Sequence, residues 1–325
     1  MPTLFVATTG GHLTELVQLA ARLPAEIGHD AVWVTSENAQ SRSLLAGDNT
    51  VFVPFVGPRD VKGVVSTFPL AYRLHRRHQF TRVISTGSAL AIGLLPYLAV
   101  RGVPAHYIES STRLTGPSLS GRILRALPSI RLYTQYEQLA RGRWHYGGWV
   151  YDGFVATKRS EPVPIRRVVV TVGMSKVFPF RSLLDPLAHL LRPGGPLERA
   201  QGSPVETLWQ TGCTPLAGLD ITARPWVPSD ELDAAMADAD VVISHAGSGS
   251  ALSALTAGRL PVLALRDVAQ GEIGDEHQSL FALELEKHGI AMRRWPEQLT
   301  VDDLLEAASY RVESAVAPPP FRLMP

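Results

Sequence analysis

The sequence predicts an α/β protein with two domains, each built around a parallel β-sheet. Short apolar or β-branched runs recur along the 325 residues, and each is followed by a glycine or polar turn and then by a stretch of helical character. That alternation is typical of βαβ units. The length exceeds what one hydrophobic core usually supports. An apolar fraction of 45% and a charged fraction of 19% are typical of packed globular proteins.

Six strands are predicted in each half of the chain. Those of the first half are Leu4–Ala7, Ala31–Thr35, Val51–Val53, Arg82–Ser85, His106–Glu109 and Arg131–Thr134. Those of the second half are Arg167–Thr171, Glu206–Gln210, Ile221–Arg224, Val241–Ser244, Pro261–Ala264 and Ile290–Arg293. Residues 152–164 lose the periodicity and gather proline and charge, which predicts an interdomain linker and domains of 1–160 and 161–325. The proline-rich tail from Ala317 either returns to the first domain or stays free.

The two halves differ in charge. Residues 1–160 carry 17 Lys/Arg and 9 Asp/Glu, a net charge of +8, whereas residues 161–325 carry 14 and 21, a net charge of −7. A basic domain attracts phosphates or an anionic membrane surface, and an acidic partner domain argues against extensive nucleic-acid binding. Accidental surface composition is the alternative explanation of this asymmetry.

The sequence favours a cytoplasmic protein. The lone Cys213 excludes a disulfide framework, which fits a reducing compartment. Neither a basic leader nor a cleavage site precedes the first strand. The apolar run 89–100 is interrupted by Gly93 and Pro96 and is shorter than the roughly 20 residues that span a bilayer.

The turn that follows the predicted strand Val241–Ser244 is the strongest candidate binding site. Its residues 244–250 read SHAGSGS, and a helix is predicted from about Ala251 to Ala257. Glycines let the backbone approach a diphosphate, the Ser248 and Ser250 hydroxyls add donors, and the helix dipole favours negative charge. The alternative is a tight connection in which glycines serve geometry alone.

A second polar turn, residues 274–278, follows the next strand, and its short polar side chains suit the hydroxyls of a sugar. The two turns are therefore expected to hold the two ends of one ligand. Asp275 and Glu276 are also good residues for the first turn of a helix, so capping explains part of this pattern.

Together the motifs resemble a known family. TVG (171–173), WQTG (209–212), SHAGSGS (244–250) and DEHQ (275–278) resemble the donor domain of glycosyltransferase family 28. TTGGH (8–12), STGSA (85–89) and YIESSTR (107–113) resemble the companion subunit of the two-subunit GlcNAc transferases that act on dolichyl diphosphate, to which bacterial capsule and exopolysaccharide enzymes are related. The chain resembles the two polyprenyl-diphosphate GlcNAc transferase subunits fused.

The resemblance implies a GT-B fold, with two Rossmann-like domains facing a cleft. It implies inverting, metal-independent transfer from a UDP-sugar, the co-substrate, to a membrane lipid-diphosphate-linked saccharide, without a cofactor. The implied donor-binding residues are Gly173, Met174, Ser175, Gly212, His245, Gly247, Ser248, Gly249, Ser250, Glu276, His277 and Gln278. Many relatives have a glutamate that contacts the ribose at the position where this chain has Ser253, so the resemblance does not extend to that contact or to the uridine.

Catalysis and acceptor binding are assigned to the first domain. His12 begins a helix after the first strand, and a neutral imidazole there suits a general base that deprotonates an attacking hydroxyl. Glu109 is an alternative base or a partner of the acceptor hydroxyl, unless it caps a helix or pairs with Arg113. His12 could instead contact only backbone or phosphate. The predicted acceptor-binding residues are Gly10, Gly11, Thr86, Gly87 and Ser88.

Two segments of the first half interleave basic and apolar residues. The basic residues are Arg73, His75, Arg76, Arg77, His78, Arg122, Arg125 and Arg131, and the apolar ones are Phe68, Leu70, Tyr72, Leu74, Leu124, Leu127 and Ile130. This pattern predicts peripheral binding to the anionic inner face of the cell membrane. An ordinary amphipathic helix with solvated charges is the alternative.

Other functions use related architectures. A UDP-sugar 2-epimerase needs no acceptor, which the basic first half does not favour, and a transferase with a soluble acceptor stays open. A non-catalytic scaffold would not need both donor and acceptor turns. A nicotinamide oxidoreductase needs Gly-x-Gly-x-x-Gly after the first strand, which residues 9–12 (TGGH) do not supply. The oligomeric state is left open.

Overall fold

A computed structural model describes residues 1–28, 30–57, 60–173, 177–274 and 276–324. They form two compact units, divided between Asp152 and Gly153, with the tail from Pro318 onward belonging to the first unit. The predicted boundary near residue 160 lies further along the chain. The difference arises because a strand immediately after residue 153 pairs within the second unit.

The first unit is built on a seven-stranded parallel sheet with the order β3-β2-β1-β4-β5-β6-β7. Its strands are β1 Thr3–Ala7, β2 Ala31–Ser36, β3 Asn49–Val53, β4 Arg82–Gly87, β5 Ala105–Ile108, β6 Ile130–Thr134 and β7 Trp144–Tyr146. Its α-helices are α1 Gly11–Ala20, α2 Ala25–Gly28, α3 Ala39–Leu44, α4 Val61–Ser66, α5 Phe68–Arg77, α6 Ala89–Val100 and α7 Leu119–Leu124. A 3-10 turn covers Glu137–Leu139.

The second unit contains a six-stranded parallel sheet with the order β11-β10-β9-β12-β13-β14, and the antiparallel pair β8 and β15. The strands are β8 Phe154–Lys158, β9 Arg167–Thr171, β10 Glu206–Gln210, β11 Ala223–Arg224, β12 Val241–His245, β13 Val262–Ala264, β14 Met292–Arg294 and β15 Tyr310–Ser314. The α-helices are α8 Arg181–Leu191, α9 Pro196–Gln201, α10 Ser229–Asp238, α11 Ser248–Thr256, α12 His277–Lys287 and α13 Val301–Ala308. A 3-10 turn covers Pro296–Gln298.

The predicted fold class is confirmed, and all twelve predicted strands are present with ends that differ by at most two residues. The sequence did not predict β7, β8 or β15. The assignment of residues 152–164 to an irregular linker was wrong for 154–158, because these residues pair with residues 310–314 from the far end of the unit. Local periodicity carries no signal for a short edge strand whose partner is so distant.

Helix α6 forms the centre of the core of the first unit. Leu90, Leu94, Leu95 and Leu98 are fully buried, and α4, α5 and α7 all pack against this helix. Burial on all sides explains its continuous apolar sequence, since a surface helix would keep one polar face. Among the described residues, no helix is long and apolar enough to cross a membrane.

The tail returns to the first unit. Phe321 is buried, and its ring lies so close to Gly147 that a Cβ at that glycine would be 2.4 Å from the ring edge. Arg22 donates two hydrogen bonds, of 2.8 and 2.6 Å, to the carbonyl of Pro319. The first of the two predicted courses for the tail is therefore confirmed.

Each large sheet has one point at which the strand order reverses direction. In the first unit it lies between β1 and β4, where Ala7 is beside Gly87, and in the second between β9 and β12, where Thr171 is beside Ser244. The loops that leave two such strands diverge to opposite sides, which opens a crevice at their carboxyl ends. Both crevices coincide with predicted binding turns.

Candidate active site

His12 lies in the first turn of α1, at the strand reversal of the first unit. Its Nδ1 is 2.8 Å from the carbonyl oxygen of Thr86, and the Thr86 hydroxyl donates a 2.7 Å bond to the His12 carbonyl. A carbonyl oxygen can only accept, so Nδ1 carries the proton of the neutral ring. The lone pair is therefore on Nε2, which is the state that a general base requires.

Gly87 makes room for this imidazole. Its φ is +109°, and a Cβ there would lie 3.3 Å from His12 Cε1 and 3.6 Å from the Tyr107 hydroxyl. A side chain would therefore combine backbone strain with a tight contact against the ring. The next residue, Ser88, shares a 2.9 Å hydrogen bond with Thr8, so the loops after β1 and β4 are joined on both sides of the histidine.

Gly10 is the N-cap of α1, with φ 93°, and Gly11 is the first residue of the helix. The Gly10 amide donates a 2.6 Å bond to Gln40 Oε1, and Gln40 Nε2 bonds the Thr14 hydroxyl at 3.1 Å. The Gly10 amide therefore has a protein acceptor in this structure. The sequence reasoning missed Gln40 because it lies on α3, distant from the glycines along the chain.

Glu109 is buried, with 4% of its surface exposed. Its carboxylate accepts bonds from the Ser118 amide (2.9 Å) and hydroxyl (3.1 Å), from the Tyr107 hydroxyl (3.2 Å) and from the Ser110 amide (3.3 Å). Burial raises the pKa of Glu109, and these bonds oppose that shift. Because Ser118 is the N-cap of α7, Glu109 fixes the start of that helix. Its role as an alternative base stays a prediction.

Glu15 is a second buried carboxylate beside the same loop, and the sequence reasoning missed it. It accepts bonds from the Ser110 hydroxyl (3.0 Å), the Ser111 amide (3.1 Å) and Gln135 Nε2 (3.2 Å). The sequence did contain a signal for Glu15, because this glutamate lies among the apolar residues of the buried face of α1. A charge at such a position needs polar partners from elsewhere in the fold.

At the strand reversal of the second unit, α11 begins at Ser248, three residues before its predicted start at Ala251. Gly249 and Ser250 therefore belong to the first helical turn, and Gly247 is an N-cap that lacks a capping side chain. Amides of a first turn have no acceptor within their own helix. Such groups and the helix dipole are suited to an anion, so the placement agrees with the predicted turn, and anion binding itself stays a prediction.

His245 packs between two glycines that precede and follow it in this crevice. A Cβ on Gly173, whose φ is +78°, would lie 2.4 Å from the His245 ring, and one on Gly247 would lie 2.3 Å from its Nε2. Burial lowers the pKa of His245 to about 3, and the charge of Arg266 acts in the same direction. The imidazole is therefore neutral at physiological pH, so it contributes polarity without a charge.

The loop between Gly173 and Val177 contains two predicted donor contacts, Met174 and Ser175, which lie outside the described residues, as does Asp275. On the neighbouring strand, Gln210 bonds the Thr171 hydroxyl at 2.8 Å and accepts a bond from the Val227 amide at 2.9 Å.

Gly212 follows the same strand. It has φ 57° and donates to the Pro225 carbonyl at 2.9 Å, so it turns the chain after β10.

The predicted sugar-binding turn begins a helix. Glu276 is the N-cap of α12, and His277 and Gln278 open its first turn. Gln278 Oε1 is buried and has no hydrogen-bond partner within the part of the chain that the structure describes. A buried amide oxygen without a partner is uncommon and suits a ligand hydroxyl or a water. Ser253 is half-buried within α11.

Arg266 was not predicted, yet it joins the loops of this crevice. Its Nη1 donates to the carbonyls of Phe178 (2.9 Å), Pro179 (3.1 Å) and Glu272 (2.9 Å), and its Nη2 donates to Val172 (2.9 Å). The guanidinium also lies 4.5 Å from the centre of the Phe180 ring. Burial lowers the pKa of Arg266 to about 10, so the group stays charged at neutral pH. It therefore holds the loop after β9 against the loop after β13.

Among the described residues, no group of three or more His, Cys, Asp or Glu side chains is arranged to hold a metal ion.

Comparisons with known proteins agree with this architecture. Residues 214–314 match the model of the glycosyltransferase family 28 C-terminal domain. The chain is 23% identical over 323 residues to a UDP-N-acetylglucosamine--N-acetylmuramyl-(pentapeptide) pyrophosphoryl-undecaprenol N-acetylglucosamine transferase from Solibacter usitatus, covering 93% of this chain and 85% of that protein.

Two solved structures share the fold over nearly the whole chain. MurG from Acinetobacter baumannii matches with a TM-score of 0.54 and 15% identity, over 94% of this chain and 89% of that one. The glycosyltransferase SnogD from Streptomyces nogalater matches with a TM-score of 0.56 and 21% identity, over 95% and 92%.

The solved structures show a GT-B fold, and the matched domain model and the curated relative support a glycosyltransferase. More particularly, residues 214–314 of the second unit match the C-terminal domain of glycosyltransferase family 28, and this match together with the curated relative supports a hexosyltransferase. The resemblance inferred from the sequence motifs is thus confirmed. The roles of individual residues stay predictions.

The bonds of Arg266 lead to a test of its positioning role. Arg266→Met leaves several carbonyls without a donor and should lower the free energy of unfolding by about 3 kcal/mol, because each unsatisfied buried group costs roughly 1–3 kcal/mol. Arg266→Lys should weaken UDP binding while losing less stability, because an ammonium keeps the charge but lacks the planar fork. Urea denaturation and calorimetric titration with UDP measure the two effects.

The exposed Arg192 on the same unit provides the matched control. Arg192→Met should change neither quantity. Equal stability and UDP affinity in Arg266→Met and the wild type would contradict the positioning role.

Proposed function

We propose that this enzyme transfers one sugar from a UDP-sugar, with inversion, onto a saccharide joined by a diphosphate to a membrane lipid. The reaction belongs to the assembly of bacterial cell-surface polysaccharide or exopolysaccharide. The curated relative from Solibacter usitatus supports the acceptor class, since its name describes transfer onto a pyrophosphoryl-undecaprenol substrate. The acceptor saccharide, the sugar and the linkage are left open by this proposal.

The observation that carries the proposal is the fixed tautomer of His12 in a chain that also contains a family 28 donor domain. The 2.8 Å bond to the Thr86 carbonyl leaves Nε2 as the basic nitrogen, and the ring is only half-buried. A general base must be both accessible and correctly protonated before the substrate arrives. The half-buried ring and the bond from Nδ1 to the Thr86 carbonyl support His12 as the proposed base.

In the proposed reaction, Nε2 of His12 takes the proton of the acceptor hydroxyl. The oxygen of that hydroxyl attacks the anomeric carbon of the donor at the same time. The bond between that carbon and the diphosphate oxygen breaks, and UDP leaves with the electron pair. Attack from the face opposite the leaving group inverts the configuration. No oxidant or reductant is needed.

On the donor side, the leaving diphosphate takes up negative charge as the bond breaks. The first-turn amides of α11 and the positive end of its dipole suit that charge, so we propose that they stabilise it without a metal ion. Gln278, whose Oε1 has no partner among the described residues, is the proposed acceptor for a sugar hydroxyl. Because His245 is neutral, it adds no positive charge beside the leaving diphosphate. We therefore assign the electrostatic stabilisation of the diphosphate to the start of α11.

A surface of the first unit supports binding to the membrane. Val61, Val65, Phe68 and Tyr72 on α4 and α5 are exposed, at 72%, 57%, 39% and 45%. The basic residues of the same two helices are Lys62, Arg73, Arg76 and Arg77. Exposed apolar side chains among basic ones suit the boundary between anionic headgroups and acyl chains.

Some residues of the predicted membrane-binding segments lie elsewhere. Leu74, Leu124 and Ile130 are buried in the core and cannot face lipid, so that part of the prediction was wrong. On α7, Leu119 and Ile123 are the exposed apolar residues instead.

A transfer assay tests the proposal directly. The protein is incubated with radiolabelled UDP-sugars, with and without a lipid-diphosphate saccharide. We expect UDP release and labelled lipid only when the acceptor is present, and NMR of the product should show an inverted anomeric centre. Hydrolysis or epimerisation without transfer to the lipid would refute the proposal, and so would transfer restricted to soluble acceptors.

His12→Ala should lower kcat by about 10²- to 10⁴-fold, the usual contribution of a general base, while the Kd for the UDP-sugar stays within about twofold. Steady-state kinetics and calorimetry measure the two quantities. His189→Ala, at an exposed position on α8, is the control and should leave both unchanged. Unchanged turnover in His12→Ala would move the base role to Glu109.

Membrane binding can be separated into apolar and electrostatic parts by vesicle sedimentation with phosphatidylglycerol. Replacing Arg76, Arg77 and Arg122 by Gln should weaken binding most at low salt, because charge attraction is screened as salt rises. Val61→Ser with Val65→Ser should weaken binding at all salt concentrations. Val316→Ser, at a fully exposed site of the second unit, is the control. Vesicle binding equal to that of the wild type in both sets of variants would contradict the proposed binding to the membrane.

A further inference from the structure

The first unit has an apolar groove beside its edge strand β3, separate from the crevice that holds His12. The groove has a volume of about 370 Å³ and lies between β3 with the residues that follow it and helices α4 and α5. Val51, Val53 and Leu70 are among its lining residues. Val53 belongs to the hydrophobic core, and Val51 and Leu70 pack against that core, so the groove lies directly over it.

The packing of α5 explains why the groove is open. Strand β3 is at one edge of the sheet, and α5 packs chiefly against α6. The corner between α4 and α5 is close to α6 at Gly93, since a Cβ on that glycine would lie 1.8 Å from the Thr67 hydroxyl. Parallel sheets are normally covered on both faces. Here the edge strand is partly uncovered, and the Phe52 side chain is 36% exposed.

Two arginines give the groove a positive charge. Arg73 and Arg77 lie one turn apart on α5, line the groove and are exposed. Within the described part of the chain, neither takes part in an ion pair. No aspartate or glutamate occurs among the lining residues, all of which the structure describes. Like charges one turn apart on a helix repel each other, so an anion bound between them is favoured.

Apolar walls combined with two arginines suit an amphiphilic anion. A free phosphate would use the arginines and leave the apolar walls in contact with water. An uncharged hydrocarbon would cover the walls and leave the arginines without a counter-charge. A molecule with an anionic head and a hydrocarbon chain uses both features, because apolar burial and charge attraction then act together.

The arginines lie away from the end of the sheet that carries the proposed base. Arg77 is the last residue of α5 and shortly precedes Arg82, the first residue of β4, so it is near the amino ends of the parallel strands. Arg82 is paired with Thr3 at the start of β1, whereas His12 follows the carboxyl end of β1. This separation argues against the diphosphate of the acceptor as the group that Arg77 binds.

The groove adjoins the surface that we propose to bind the membrane. Val65 on α4 and Phe68 and Tyr72 on α5 are exposed, at 57%, 39% and 45%, and Phe55, 65% exposed, follows β3 on the other side of the groove. Exposed apolar side chains on both sides of the groove suit the boundary between headgroups and acyl chains. A membrane lipid can therefore enter the groove from the bilayer to which this surface is proposed to bind.

We propose that the groove binds one anionic phospholipid, with a hydrocarbon chain along β3 and the phosphate between Arg73 and Arg77. Guanidinium groups match phosphate oxygens in charge and geometry. A volume of about 370 Å³ lies within the usual range for small-ligand pockets and accommodates part of one acyl chain. The site rests on the proposed membrane binding for the source of the lipid, and it extends that binding to recognition of one lipid class.

Calorimetric titration of the full chain with dihexanoyl phosphatidylglycerol tests the groove without a membrane, provided that the lipid stays below the concentration at which it forms micelles. We expect saturable binding. Dihexanoyl phosphatidylcholine, which has the same chains and no net charge, should bind about three- to tenfold more weakly, because exposed charge pairs contribute modestly. Glycerol phosphate, which has the anionic head without the chains, should also bind more weakly than phosphatidylglycerol.

Two kinds of variant separate the charges from the apolar walls. Arg73→Gln with Arg77→Gln should weaken phosphatidylglycerol binding about three- to tenfold. Ser66→Trp, at an exposed position that lines the groove, should weaken binding of both lipids by filling the space of the chain while the charge is unchanged. Arg101→Gln with Arg141→Gln, which removes two exposed arginines outside the groove, is the matched control and should leave the affinity unchanged. Melting temperatures check that each variant is folded.

Wild-type affinity for phosphatidylglycerol in both the double variant and Ser66→Trp would overturn the site. Equal affinity for the two phospholipids would overturn its selectivity for an anionic head. Tighter, arginine-dependent binding of a short-chain prenyl diphosphate would assign the groove to the acceptor lipid instead. Absence of lipid binding with normal sugar transfer would overturn the groove and leave the proposed function standing, whereas arginine-dependent lipid binding without sugar transfer would do the reverse.

Discussion

The site in each unit depends on one packing constraint, a histidine ring placed against a glycine where the strand order reverses. In the first unit His12 covers Gly87, and in the second His245 covers Gly173 and Gly247. Gly87 and Gly173 have positive φ, and a Cβ would reach the ring. Close approach of backbone to imidazole therefore fixes both crevices, because any larger residue would push the ring or the loop out of position.

The two histidines are both half-buried but have different surroundings. His245 is enclosed beside Arg266, and its pKa of about 3 keeps it neutral. Its folded-state pKa lies below that of an unfolded chain, so the unfolded state takes up the proton first and stability falls as pH drops below about 6.5. In His12 the bond from Nδ1 to the Thr86 carbonyl leaves the lone pair of the neutral ring on Nε2. One ring packs against the glycines of the turn for which phosphate binding is proposed, and the other is the proposed base.

The sequence predicted the features that local patterns encode, namely the strands and the turns that follow them. Strands and turns were found because buried runs ending in glycine are readable along the chain, and the strand reversals then brought the predicted turns together. The residues that hold those turns in place were missed. Arg266 lies two residues after the buried strand β13, and Glu15 lies within a helix, so neither belongs to a motif. Their partners come from residues 172–179 and 110–135, and such pairings exist only once the chain is folded.

Two buried carboxylates, Glu15 and Glu109, hold the loop after β5 in place. Glu15 and Glu109 bind opposite ends of the loop after β5, at Ser111 and Ser118, so both ends are tied to the rigid sheet and helix layer. A buried carboxylate that accepts several hydrogen bonds is costly to displace, because its removal leaves several buried donors without an acceptor at the same time.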